Sequence, residues 1–285
     1  MLDDNMLSAI GKFGVADYSH ETSSMTIMPL DTGKLAVSID GAFKQGIFAA
    51  TGVIVGGSGN DLISSPRSGV SLFGGEGDDV LEATGNKSFL AGGPGSDILI
   101  ADAQGTVLIG DAPALDYSPS GKINFYPDVF VVAGTYTSPP WDPVLIADFD
   151  SWGGDRIDLS AIDGNQGEAG HQELVFSQTG PQAHSVWYEA FGYGAASNNG
   201  FLKGDTNGNQ EEDFVIEVRH TGTDLFGDAI SSAYTLGLGP MTNNSANDQM
   251  PMSEGGIPYL PPHEEVSIKL PALAGTLTVY SSDML

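Results

Sequence analysis

Three segments of the 285-residue chain carry the same side chains at the same spacing: Gly56-Gly57-Ser58-Gly59-Asn60-Asp61, Gly74-Gly75-Glu76-Gly77-Asp78-Asp79 and Gly92-Gly93-Pro94-Gly95-Ser96-Asp97. Their first glycines lie 18 residues apart, twice in succession. Each segment offers the carbonyls of a tight turn and one terminal carboxylate: Asp61, Asp79 or Asp97. Two such turns stacked on each other can surround a cation with about six oxygens, which suits calcium. Nitrogen and sulfur donors are missing from the segments and the chain has no cysteine, which argues against zinc. The candidate ligand positions are Gly56, Gly57, Ser58, Gly59 and Asp61 in the first turn. They are Gly74, Gly75, Glu76, Gly77 and Asp79 in the second, and Gly92, Gly93, Pro94, Gly95 and Asp97 in the third.

Stacking requires an element that repeats with the turns, and the sequence supplies one. Ile54, Ile63, Leu72, Leu81, Leu90, Leu99 and Leu108 recur every nine residues, with Tyr117 and Tyr126 in phase beyond them. A six-residue turn followed by a three-residue strand accounts for a period of nine. Two such units close one coil and account for the period of 18. The apolar residue points inward and the column forms a core between two parallel sheets. All three glycine-rich turns then line one edge. The opposite edge carries 65–70, 83–88 and 101–106, which lack the glycine pair and the aspartate, so only one edge is expected to bind metal. A third ion against Gly110-Asp111-Ala112-Pro113 is not expected, because the next aspartate, Asp116, misses the sixth position.

At these residues the chain resembles the RTX (repeats-in-toxin) proteins, whose pattern is Gly-Gly-x-Gly-x-Asp-x-apolar-x. Downstream, Ala147-Asp148-Phe149-Asp150, then Gly154-Asp155-Arg156-Ile157-Asp158-Leu159-Ser160, is similar to the segment following the repeats in serralysin-type metalloproteases. So is Gly204-Asp205-Thr206-Asn207-Gly208-Asn209, leading into Asp213-Phe214. The resemblance covers roughly 50–230. It implies an all-β fold, a parallel β-roll continued by a serralysin C-terminal-like β-sandwich domain. It also implies calcium as the bound ion, and export through a type I channel by an uncleaved C-terminal signal. The ending Asp283-Met284-Leu285 is similar to such a signal. Asp205, Asn207, Asn209 and Asp213 also stand like part of an EF-hand loop and make a further candidate calcium site. Gln210 and Ile216 depart from that pattern.

Composition bounds the partners. The chain carries 37 acidic residues against 10 basic, a formal net charge of −27, which repels nucleic acid and anionic membranes and welcomes divalent cations. No stretch is apolar enough to span a membrane, and Met1-Leu2-Asp3-Asp4 does not begin a secretory signal peptide, so a secreted, extracellular product would use another route. The five histidines, His20, His171, His184, His220 and His263, form no ligand spacing, and no His-Glu-x-x-His stretch occurs. The expectation is therefore a non-catalytic protein whose roll folds on calcium after export. The alternatives are the calcium-binding module of a secreted metalloprotease, lyase or epimerase, or an adhesion or glycan-binding module. Trp141, Trp152, Trp187, Tyr188, Phe191 and Tyr193 could form a sugar platform but read more readily as core. The expected divisions are a lead-in at 1–46, the roll at 47–127, a β domain at 128–235 and a tail at 236–285 carrying the export signal.

Overall fold

A residue that is apolar every nine positions, set between turns rich in glycine, can bury its side chain only by alternating between two facing sheets. The structure, a computed structural model, describes residues 14–30, 34–48, 51–111, 126–134, 142–150, 153–190, 199–220, 265–268 and 277–280. In chain order the strands are β1 (Val15–Asp17), β2 (Met25–Leu30), β3 (Lys34–Ile39), β4 (Ala42–Phe48), β5 (Val53–Val55), β6 (Leu62–Ser65) and β7 (Ser71–Phe73). Next come β8 (Val80–Ala83), β9 (Phe89–Ala91), β10 (Ile98–Ala101), β11 (Val107–Ile109), β12 (Val129–Val132), β13 (Val144–Phe149) and β14 (Arg156–Asp158). The last are β15 (Val175–Phe176), β16 (Ser185–Ala190), β17 (Gly200–Gly204), β18 (Phe214–His220), β19 (Glu265–Ile268) and β20 (Leu277–Tyr280). No helix occurs among the described residues.

One large sheet runs β1-β5-β7-β9-β11-β13-β18-β17-β16-β15, a second β14-β12-β10-β8-β6-β2-β3-β4, and β19 and β20 pair separately. Within the repeats the pairing is parallel with an 18-residue register: Ile54 opposite Leu72, Leu72 opposite Leu90, Ile63 opposite Leu81, Leu81 opposite Leu99. Every member of the column from Ile54 to Leu108 is fully buried. Burying one such side chain contributes about 1.5–3 kcal/mol, so the column is the main apolar support of the coil.

Beyond Leu108 the beat changes. Tyr126 is exposed rather than inward, and Tyr117 lies outside the described residues. Phe130 and Ile146 take the next column positions instead, opposite Leu99 and Leu108, and Ile157 follows opposite Phe130. All three are buried. Residues 110–128 separate β11 from β12 and residues 133–143 separate β12 from β13, which ends the nine-residue spacing while the strands keep their stack. The continuation therefore grows from the roll's own two sheets. Downstream of the repeats the pairing turns antiparallel in β18-β17-β16.

Strands upstream of the repeats also join the two sheets. β1 pairs in parallel with β5 and β2 with β6, which adds a coil before the first glycine-rich turn. β2, β3 and β4 then form an antiparallel meander at the end of the second sheet. Trp187 is a buried core residue, whereas Trp141, Trp152, Phe191, Tyr193 and the candidate export signal lie outside the described residues.

Candidate metal centre

The terminal aspartates of the three turns are almost wholly buried, at 2% exposure for Asp61 and 1% for both Asp79 and Asp97. They are wired to one another. The Asp61 N–H donates to Asp79 Oδ1 at 2.8 Å, and the Asp79 N–H donates to Asp97 Oδ1 at 2.8 Å. The ladder does not stop there. The Asp97 N–H donates to Asp128 Oδ1 at 2.8 Å, and the Asp128 N–H to Asp155 Oδ1 at 2.9 Å. At the other end, Met25 N–H donates to Asp61 Oδ1 at 2.8 Å. Five carboxylates thus run in one file along one edge.

Asp128 and Asp155 were not among the predicted ligands, because they stand 31 and 27 residues from their predecessors instead of 18. A signal for them did exist. Each precedes an alternating strand start, Asp128-Val129-Phe130 and Asp155-Arg156-Ile157, which is the second half of the repeat without its glycine-rich first half. Asp116 lies outside the described residues, and Asp128 takes the place beside Gly110. A Cβ on Gly110 would lie 2.0 Å from Asp128 Oδ2, the relation Gly92 has to Asp97 Oδ2 at 2.0 Å.

The glycine positions have a steric cause. A Cβ on Gly74 would lie 2.1 Å from Asp79 Oδ2 and 2.8 Å from the Gly92 carbonyl oxygen of the next coil. Gly75 has φ of 120°, and a Cβ there would meet the Gly57 oxygen at 1.9 Å. Glycine is required because carboxylate and carbonyl oxygens of adjacent coils crowd the places where side chains would go. The third-position side chains, Ser58, Glu76 and Pro94, point away and are exposed, so these residues offer the edge their main chains alone.

The electrostatics of this edge are unfavourable as it stands. Burial pushes Asp79 up to about 9, and the neighbouring charges of Asp97 and Asp61 add to the rise. Burial likewise takes Asp97 to about 8 and Asp128 to about 9, and Asp155 reaches about 7 by the same cause. Asp61 and Asp148 shift in the same direction, chiefly through burial. Asp111 rises to about 6, through burial and the nearby Asp148 and Asp150 charges. Three carboxylate oxygens in this set, Asp79 Oδ2, Asp97 Oδ2 and Asp148 Oδ2, are buried and accept no hydrogen bond. Asp61 differs, since its Oδ2 accepts the Gly57 N–H at 2.9 Å.

Orphaned carboxylate oxygens, crowded carbonyls and the lack of nitrogen or sulfur donors are what a hard cation would remedy, so the residues present fit calcium. Among the described residues no three acidic, histidine or cysteine side chains converge as a metal cluster. A cation on this edge would draw on main-chain oxygens as well as on Asp79 and Asp97.

The loop after β17 is built otherwise. Asp205 Oδ1 accepts the N–H groups of Asn207 at 3.0 Å and Gly208 at 2.7 Å, and its Oδ2 accepts that of Gln210 at 2.6 Å. Asp213 Oδ2 accepts from the Thr206 N–H at 2.7 Å and hydroxyl at 2.9 Å, and its Oδ1 accepts from the Asn207 amide. Asn209 Oδ1 accepts the Glu211 N–H at 2.8 Å. Sequence reasoning brought these four side chains together correctly, but their oxygens already have protein donors. The loop satisfies itself as a chain of Asx turns.

Compared with known proteins, residues 30–229 match the family described as Peptidase M10 serralysin C terminal. No curated protein matches the chain.

Proposed function

This chain belongs to the serralysin C-terminal family, a family of calcium-binding RTX-type modules, and on that footing we propose that it is a non-catalytic extracellular protein whose roll folds on calcium after type I export. The observation that carries the reading is the pair of buried carboxylate oxygens, Asp79 Oδ2 and Asp97 Oδ2, left without a partner in the middle of a carboxylate file. Without an ion, this edge places like charges in a low-dielectric stack and opposes the burial of the apolar column. Asp79 and Asp97, with the crowded turn carbonyls, would hold calcium, and the ion would supply the missing positive charge. Binding to the folded coil alone makes binding free energy into folding free energy.

The expected affinity follows from the compartment. Extracellular calcium modules bind at roughly 0.1–1 mM, so the chain stays loose at cytosolic calcium and folds outside. Calcium titration followed by circular dichroism tests this: the parallel-β signal should be small in excess chelator and rise over that range. A full β signal in chelator refutes the reading.

The name of the family favours one second reading, a calcium module serving a secreted protease. The 285 residues lack a His-Glu-x-x-His stretch, and a zinc hydrolase needs its ligands in fixed geometry. Purified protein should carry no stoichiometric zinc and leave denatured casein uncut. Stoichiometric zinc with chelator-sensitive cleavage would promote the second reading.

A further inference from the structure

A cleft of about 720 Å³ lies between the turns that lead into β15 and β16. We infer that this cleft binds a neutral, hydroxyl-rich ligand, a segment of an uncharged saccharide. The assignment rests on other residues than the calcium reading does.

The polar lining is mostly amides and hydroxyls, with Glu173 its one carboxylate and His184 its one imidazole. Asn165, Gln172, Gln178, Thr179 and Gln182 contribute, and neither lysine nor arginine is present. Amide and hydroxyl groups both donate and accept, which matches the mixed valences of sugar hydroxyls. An anionic ligand would find no lysine or arginine here and would meet the Glu173 carboxylate and the −27 charge of the whole chain. Val175, 66% exposed, and the partly buried Phe176 add an apolar patch for the C–H face of a pyranose ring.

Two features mark the cleft as more than a surface hollow. The Gln172 side-chain oxygen in its wall is buried and accepts no hydrogen bond, although the Gln172 N–H and amide are both used, on Asp163 Oδ1 and the Ala169 carbonyl. His184, also in the wall, holds a left-handed backbone at φ of 58°. That conformation is uncommon for a residue with a side chain and persists only where the surroundings impose it. Here they do. Nδ1 of His184 lies 3.1 Å from the Gly164 carbonyl oxygen. A Cβ on Gly208 would lie 2.7 Å from Nε2. The Gln166 N–H also donates to the Thr206 carbonyl at 3.1 Å, so the cleft wall is braced on the self-satisfied loop after β17. The wall is thus organised before any ligand arrives, which lowers the ordering cost of binding.

The test uses the full chain with saturating calcium and isothermal titration against hexaoses of β-1,4-glucan, α-1,4-glucan, β-1,4-xylan and β-1,4-mannan. Polygalacturonate and a casein digest serve as comparisons. At least one neutral hexaose should bind with a dissociation constant of about 1 mM or tighter. Gln178→Ala and Gln182→Ala should each weaken it about tenfold, the loss of one hydrogen-bonding amide. Both side chains are exposed, so the circular dichroism spectrum should not change. Lys87→Ala, outside the lining of the cleft, should leave binding as it was. The inference falls if no neutral hexaose binds, if binding survives both glutamine substitutions, or if only polygalacturonate or peptides bind. Calcium-dependent folding stands under any of those outcomes.

Discussion

The two edges of the roll join the same strands and flank the same apolar column, yet they solve the turn differently. On the acidic edge, Gly75 and Gly77 adopt φ of 120° and 111°, and the sixth residue is a buried aspartate. On the opposite edge a single residue per turn is left-handed: Gly69 at 70°, Lys87 at 60° and Gly105 at 66°. The sixth residues there are Val70, Ser88 and Thr106, all buried. The Ser88 hydroxyl donates to the Gly85 carbonyl at 2.7 Å and the Thr106 hydroxyl to the Ala103 carbonyl at 2.9 Å, so these turns close on themselves. The acidic turns close on the next coil and leave Asp79 Oδ2 and Asp97 Oδ2 unmatched. A turn that completes its own hydrogen bonds offers an ion nothing; one that leaves buried carboxylate oxygens over keeps acceptors that a cation would fill.

The contrast is broken most severely at the glycines. Gly92→Ala places a methyl 2.0 Å from Asp97 Oδ2, with no open space to take it. It should cost at the top of the ~1–3 kcal/mol range for overpacking, and abolish calcium-induced folding in a dichroism titration. Gly69→Ala on the opposite edge meets nothing within 4 Å and carries only the strain of its φ, so it should cost about 1 kcal/mol and keep the calcium response.

Next in size are the carboxylates. Asp79→Asn keeps an acceptor for the Asp61 N–H but removes the charge. It should raise the calcium midpoint about tenfold or more, while stabilising the ion-free coil at pH 8. Asp97→Asn should do the same. Asp61→Asn should act more weakly, because both Asp61 oxygens already accept N–H groups. Equal effects from all three in a calcium titration would argue against the ladder as the basis of binding.

The ion-free edge should also respond to protons in the reverse sense to most proteins. Asp155, Asp97, Asp79 and Asp128 are raised to about 7, 8, 9 and 9, above the ordinary 3.8. Between these values and the ordinary one the folded chain binds more protons than the unfolded chain. In chelator, stability should therefore be fullest near pH 4 and decline as pH rises through 7 to 9. Calcium must displace those protons, so its midpoint should fall as pH rises. Thermal melts at pH 5 and 8, with and without calcium, should give opposite slopes.

The smallest effect belongs to the neutral edge. Ser88→Ala removes one hydroxyl from a buried turn and should cost about 0.5–1.5 kcal/mol, with no change in calcium midpoint. A shift in midpoint would mean that the two edges are coupled through the column.

The sequence was most legible where its spacing was regular. Ile54 to Leu108 and the turns ending in Asp61, Asp79 and Asp97 announce the strands, the shared edge and an oxygen-donor site, because a nine-residue repeat permits few other ways to bury its apolar member. The loop from Asp205 to Asp213 was equally visible as a cluster, but residue types could not tell whether its oxygens were already engaged. Asp128, Asp155, Phe130 and Ile146 were hidden, since connections of unequal length erase the period without disturbing the strand stack. The coil supplied by β1 and β2 was hidden for a related reason: Ala16 and Ile27 enter the column opposite Ile54 and Ile63 without any glycine-rich turn to mark them. Local pattern thus determined the kind of fold and the kind of ion it suits. Which aspartates share the file, and which oxygens in it lack a partner, is decided between coils by atoms distant in sequence, and so belongs to the tertiary structure alone.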